Sequence, residues 1–426
     1  PSSLLPAEVE FSLMGYTTQV IRFEGSKKVT IRLHLEAQML EDAQVIAYGK
    51  QSKMSITGSI SSIDTKELLK SPSGSAAGAL AGAVPGVSTV QASGQPGAED
   101  PIIYVRGSGS LTDAASQPLI LVDGVERSFF QMDPNEIESI TVLKDAASTA
   151  VFGVRGANGV ILVTTRRGKE GRNQIAVNSS FGLTQALRNL YGVSSYDYAT
   201  LYTEAQKNDN PKIKNSELAF SPYVTELFRT GADPVMFPNV EWNDYLFKNL
   251  AWQTQHNVTM SGGGKHAKYF ISAGFMHQDG MMKQYNESYN SNFTYNRYNL
   301  RANVDVNITP TTVLSANIGT RIGVQSAPNN YDIWRNIMWC TPFASAGFVD
   351  GKRIYNPNNP FIILPAQTSG LDLYYDWGYN KNTENVMNLD FILNQDLGML
   401  TEGLTLTLKG AYNTNYNASV NREVVG

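Results

Sequence analysis

For twelve residues, from Arg297 to Ile308, apolar and polar side chains alternate without an error. Tyr298, Leu300, Ala302, Val304, Val306 and Ile308 fall on one side, and Arg297, Asn299, Arg301, Asn303, Asp305 and Asn307 on the other. A period of two means a strand with one apolar and one polar face. A soluble sandwich would alternate similarly, so length decides. A strand needs ~9–11 residues to cross a bilayer, and this stretch is that long. The pattern predicts a transmembrane antiparallel β-barrel, with lipid outside and a wet lumen inside.

Two other stretches repeat the pattern. Leu404, Leu406, Leu408, Tyr412 and Tyr416 alternate with Thr405, Thr407, Lys409, Asn413 and Asn415. Met387, Leu389, Phe391 and Leu393 alternate with Asn388, Asp390 and Asn394. Weaker strands are expected over Ile175–Leu183, His256–Met260, Tyr269–His277 and Leu314–Val324, about seven in all. The connections run long, short, long, short, long, short: 184–253, GGGKH, 278–295, TPT, 325–383, LGMLTEG. Outer-membrane barrels have short periplasmic turns and long extracellular loops, so the rhythm places Gln185–Gln253 and Gln325–Thr383 outside the cell.

Composition narrows the alternatives. Net charge is −4 over 426 residues, which leaves no electrostatic footprint for nucleic acid. One cysteine, Cys340, excludes an intrachain disulfide framework, and four histidines argue against a zinc site. No apolar run approaches the ~20 residues of a membrane helix, which leaves a barrel untouched. Gly262-Gly263-Gly264-Lys265 is followed by His266 where a phosphate loop needs Ser or Thr, and reads as a hairpin turn. No constellation supports catalysis, a metal or a cofactor. The first residues lack a signal pattern and the last follow a strand closely, so both ends read as cuts in a longer chain.

Ahead of the strands lies a different unit. Leu119–Val122 is a strand stopped by Asp123-Gly124; Asp133 caps a short helix beginning at Pro134, with Glu136 at capping-box spacing. Ser139–Leu143 is a second strand, Asp145 caps a helix through Ala150, and Gly159–Thr165 is a third strand. Gly153, Gly156 and Gly159 permit sharp turns between them. Leu68, Leu80 and Val84, in a frame of small residues, read as packed elements of the same α+β unit.

The order LVDGV, DPNEIESITVLKDAAS, GVRGANGVILVTT resembles the plug domain of TonB-dependent outer-membrane transporters of the SusC/RagA-like class. Leu80–Leu111 is similar to the first half of that plug. The resemblance implies residues 1–37 as the C-terminal half of a carboxypeptidase-regulatory-like sandwich, 38–53 as a TonB-box linker, 54–170 as the plug and 171–426 as the first part of the barrel. Alternation at Val9, Phe11 and Leu13 and at Val29, Ile31, Leu33 and Leu35 fits the sandwich remnant. A plugged barrel of this class takes about twenty-two strands, so about seven form only a part.

By the same resemblance, Val45, Ile46, Ala47 and Tyr48 are the TonB box, although Ala43, Gln44 and Ala47 depart from the family pattern. The residues themselves read as an unpartnered β-prone strand open to augmentation, or as an ordinary linker strand. Arg106 in YVRGSG and Arg155 in GVRGAN are expected plug–barrel contacts, against the alternative of solvated surface arginines. Tyr331, Trp334, Trp339, Tyr374, Tyr375 and Trp377 are expected to face ligand or lid, against the alternative of a membrane-interface girdle. The implied function is TonB-dependent import across the outer membrane of a Gram-negative bacterium. The implied partners are TonB with ExbB and ExbD, a SusD-like lipoprotein, outer-membrane lipid, and an oligosaccharide or oligopeptide cargo. A signalling receptor or adhesin on the same scaffold is the competing reading.

Overall fold

Four short strands open the chain in this computed structural model: β1 (Ala7–Phe11) pairs with β2 (Gln19–Phe23), and β3 (Ala43–Ile46) with β4 (Gly49–Ser52), both antiparallel. The structure describes residues 7–11, 19–23, 43–46, 49–52, 60–71, 73–109, 116–187, 191–285, 289–290, 292–329, 333–354, 359–364, 369–375 and 377–423. Leu13 and the strand expected over Val29–Leu35 lie outside them. The β3 segment is not the unpartnered strand its sequence promised. Val45 pairs with Lys50 and Ile46 with Gly49, because the chain doubles back at once and fills one edge.

The next unit is a small α+β domain. Its five-stranded sheet has the order β5 (Ile60–Asp64), β10 (Ile137–Leu143), β11 (Val160–Thr165), β8 (Leu119–Val122), β9 (Val125–Glu126); β6 (Val87–Val90) and β7 (Ile102–Val105) form a separate hairpin. The turn between β8 and β9 puts Asp123 at φ 49° and Gly124 at φ 76°, the left-handed pair that a two-residue hairpin requires. Leu68, Leu80, Val84, Ile103, Ile140 and Ile161 pack with Ala76, Ala77 and Ala79 into one core. The small-residue run is therefore packed interior, not a linker.

Seven strands follow in one antiparallel sheet, each paired with the next: β12 (Gly171–Thr184), β13 (Ala251–Gly263), β14 (Ala267–Asp279), β15 (Thr294–Thr309), β16 (Thr312–Pro328), then, past the two-residue hairpin strands β17 (Phe348–Val349) and β18 (Lys352–Arg353), β19 (Tyr379–Asp396) and β20 (Thr405–Arg422). All seven stretches expected from the sequence are strands of this partial barrel, and each is longer than the ~9–11 residues a bilayer demands. GGGKH makes the β13–β14 turn, where Gly264 N–H donates to Ala267 O at 2.8 Å.

Burial along the wall is inverted relative to a soluble sheet. On β15 the polar Arg297, Asn299, Arg301 and Asn303 are 1–6% exposed, while Tyr298 and Leu300 are 48% and 49% exposed. Val258, Ile271, Ile318, Phe391 and Leu408 continue the apolar outer face across the neighbouring strands. An apolar surface of this extent suits lipid, not water. The inner face departs from the expected wet lumen: the α+β domain fills it at these positions, so the polar residues are buried against protein.

Two of the three long connections carry helices among the described residues. Helices form at Ser195–Asp209, Pro222–Thr230, Trp242–Leu246, Ile333–Met338 and Gly370–Tyr375. Ser194 and Ser221 cap the first two by accepting from Asp197 N–H and Val224 N–H, and Gly231 ends the second at φ 63°. One apolar core joins Ala199, Phe220, Val224 and Phe228 to Phe343 and Ile362. Another joins Trp242 and Leu246 to Met282, Phe293, Ile333 and Leu371, so three connections pack together at one end of the wall.

Candidate functional site at the plug–wall interface

The inner face of the wall meets the α+β domain through hydrogen bonds and ion pairs. Arg297 Nη1 donates to Gly74 O at 2.7 Å and to Gln131 Oε1 at 3.1 Å; Asn299 Nδ2 donates to Gln131 O at 3.1 Å. Arg301 Nε reaches Glu136 Oε2 at 2.8 Å, and Asn303 Nδ2 donates to Thr165 Oγ1 and Arg166 O. These are alternate residues of one strand, so the period of two that keeps lipid outside also aims four polar side chains at the plug.

Neighbouring strands add to this. Arg127 holds Asp390 in a bidentate pair at 2.5 and 3.2 Å, and Arg167 Nη1 holds Asp305 at 2.7 Å. Asn257 Nδ2 donates to Asp133 Oδ2 at 3.1 Å, where Gly274 leaves room: a Cβ there would lie 2.6 Å from that oxygen. Lys409 Nζ donates to Asp123 O, and the Arg166 guanidinium sits 5.2 Å over the Phe270 ring. The plug leaves through residues 166–170 against β14, with Gly168 pressed on the Tyr269 backbone. It therefore enters β12 beside the short β13–β14 turn, at the end opposite the helical connections.

Several expected residues have other roles. Arg106 pairs with Asp145 at 2.6 Å and Arg155 with Glu126, all four within the plug, so neither reaches the wall among the described residues. The arginines that do are Arg127, Arg166 and Arg167. Asp133 caps its short helix by accepting from Asn135 N–H, but Glu136 does not complete a capping box. Its carboxylate turns to Arg301, because an unpaired guanidinium buried there would be costly. Asp145 makes no cap hydrogen bond and serves Arg106 instead. No sequence pattern marks Arg127 or Gln131, and the patterns that do pick out Glu136 and Asp390 say nothing of their partners, which lie far along the chain.

Val45 and Ile46 lie on β3; Ala47 and Tyr48 fall outside the described residues. Of the aromatic set, Trp339 is 81% and Trp377 48% exposed in the connection between β16 and β19. Tyr331 lies outside the described residues, as do the side chains of Trp334, Tyr374 and Tyr375. Among the described residues no cluster of His, Cys, Asp or Glu could hold a metal, and no helix is long and apolar enough to cross a membrane.

A small domain seated by polar contacts on the inner face of a lipid-facing antiparallel wall defines a plugged outer-membrane barrel. Comparison with known proteins gives the family. Residues 52–160 match the TonB-dependent Receptor Plug Domain. TonB-dependent receptor P3 of Formosa agariphila is 33% identical over 306 residues, covering 71% of this chain and 27% of that protein. TonB-dependent receptor SusC of Bacteroides thetaiotaomicron is 29% identical over 385 residues, covering 83% and 36%. The RagAB peptide importer in its open-open state shares the fold, with a TM-score of 0.70 at 23% identity over 88% of this chain and 43% of that one. These matches support a SusC/RagA-like TonB-dependent transporter, and the proteins it resembles are transporters and receptors, not enzymes. The chain spans about a third of the length of these curated relatives.

Proposed function

We propose that this chain supplies the plug and the first strands of an energised outer-membrane importer, taking up an oligosaccharide or oligopeptide with a SusD-like lipoprotein at the outer mouth. The observation that carries the reading is the chemistry of the plug–wall interface. Its contacts are mostly amides, hydroxyls and ion pairs, groups that water can satisfy when they part, with Phe270, Met276 and Tyr295 as scattered apolar or aromatic contacts among them. A plug held by interdigitated apolar side chains would resist such parting; this one can leave and return. TonB, driven through ExbB and ExbD, would add a strand to the segment Val45, Ile46, Ala47 and Tyr48 and pull. Trp339 and Trp377 present large exposed rings for cargo or lid, and the chain adds no chemistry of its own to the cargo.

The reading is tested in a host strain lacking the gene, grown on a panel of oligosaccharides and oligopeptides as sole carbon source. The full-length protein should restore growth on one class, and Val45→Pro should not, since proline removes a strand donor. Restoration by the proline variant would refute the coupling role of this segment.

A further inference from the structure

Between β6 and β7 the plug extends a loop, residues 91–101, onto the wall near the end where the helical connections leave. Its tip is a turn over Gln95–Ala98, closed by Ala98 N–H donating to Gln95 O at 2.9 Å, with Pro96 second and Gly97, at φ 75°, third. In that geometry the central peptide stands across the turn and directs its C=O and N–H to opposite sides. The wall takes both groups. Gln325 Nε2 donates to Pro96 O at 2.8 Å, and Gly97 N–H donates to Gln278 Oε1 at 3.3 Å. Between the two glutamines lies Tyr295, so close that a Cβ on Gly97 would stand 2.6 Å from its ring.

These three residues are one row. Gln278 is paired in register with Tyr295, and Tyr295 with Gln325; the row continues to Gln253 on one side and Asn382 on the other. Five adjacent strands thus present amide, amide, tyrosine, amide, amide at one level of the lumen. Gln278 and Tyr295, in the middle, are buried beneath the turn, while Gln253 and Asn382 at the ends are half-buried. A side-chain amide offers a donor and an acceptor together, the complement of a secondary amide.

We propose that the row Gln253, Gln278, Tyr295, Gln325 and Asn382 is a binding strip for chains bearing secondary amides, whose centre the Pro96–Gly97 peptide of the plug occupies as a tethered stand-in. An amide-bearing cargo competes with the turn for the same groups, so loading the strip unlatches this corner of the plug. The shared chemistry is the amide, supplied by a peptide backbone or by an N-acetylated sugar. The inference rests on the importer reading for its purpose, but the binding it describes needs no energy source.

The test uses purified full-length protein and hydrogen–deuterium exchange of segment 91–101. Three probes are added at millimolar concentration: an acetylated and amidated Gln-Pro-Gly-Ala peptide, chitotetraose, and maltotetraose, which has no amide. At least one amide probe should speed exchange of the segment severalfold while maltotetraose leaves it unchanged, and the stronger probe identifies the source. No response to either amide probe, or an equal response to maltotetraose, overturns the proposal. The double substitution Gln278→Ala, Gln325→Ala should speed exchange without probe and abolish the response; exchange at the wild-type rate would overturn the role of the two glutamines in holding the turn. Gly97→Ala leaves the wall intact but cannot seat the turn, so it should bind the effective probe severalfold more tightly, and unchanged affinity would contradict the stand-in. If Val45→Pro still supports growth, the coupling assignment fails and these binding results are unaffected.

Discussion

Arg127 of the plug and Asp390 of the wall, 263 residues apart in sequence, meet in a bidentate ion pair whose side chains are 8% and 2% exposed. Removing one partner strands the other charge away from water, which costs about 3–5 kcal/mol. Asp390→Ala should therefore lower the denaturation midpoint of the purified full-length protein. The double substitution Arg127→Met, Asp390→Leu should recover most of the loss, because two apolar groups of similar volume leave no orphaned charge. Unfolding curves in denaturant decide it; equal stability of Asp390→Ala and wild type would show that water reaches the pair.

Seating of the 91–101 loop should depend on pH through Glu99. Burial pushes its carboxyl above the ordinary glutamate range; the Gln278 amide, which donates to Oε1 at 3.0 Å, and Arg297 oppose the shift, and Asp100 adds to it. A carboxyl raised on docking favours the docked state when protonated. That contribution is complete below the ordinary value and is lost as pH rises through the docked one. A nitroxide on Ala98→Cys in a Cys340→Ser background should report a larger mobile fraction at about pH 7 than at about pH 4, and Glu99→Gln should reduce the difference, leaving the share of Asp100, whose carboxyl burial also raises. A mobile fraction that falls with rising pH would contradict the sign.

Cys340 should be inert. Burial, with the negative charge of Asp372, pushes its thiol up to about 12. The thiolate is the reactive form, so modification at neutral pH should run roughly a thousandfold slower than for an exposed cysteine. Maleimide labelling followed by mass spectrometry measures this; stoichiometric modification within minutes would show that the connection opens readily.

The wall was legible in the sequence because its requirement is local. Lipid on one side and a polar partner on the other impose a period of two, and Arg297–Ile308 states that period residue by residue. The chemistry of the polar side was not legible. Nothing about Arg301 or Glu136 in isolation says that they meet, and the spacing of Asp133 to Glu136 pointed to a local cap that a tertiary ion pair displaced. Arg106 and Arg155 stood out through their glycine-flanked motifs, yet both answer plug carboxylates. Two helices of the long connections are signalled locally only by their caps, Ser194 and Ser221-Pro222. Their apolar residues are completed by partners from other connections, so no single stretch displays a full core face.

The central claim is a membrane wall oriented with its helical connections outside and its plug-entry end in the periplasm. Single cysteines at Asn208, in the helix Ser195–Asp209, and at Lys265, in the β13–β14 turn, test it directly in full-length protein carrying Cys340→Ser. Both positions are exposed, so burial does not confound the comparison. Intact cells are treated with a membrane-impermeant thiol reagent. Asn208→Cys should label and Lys265→Cys should label only after the outer membrane is broken; the reverse pattern, or equal labelling of both in intact cells, would contradict the account.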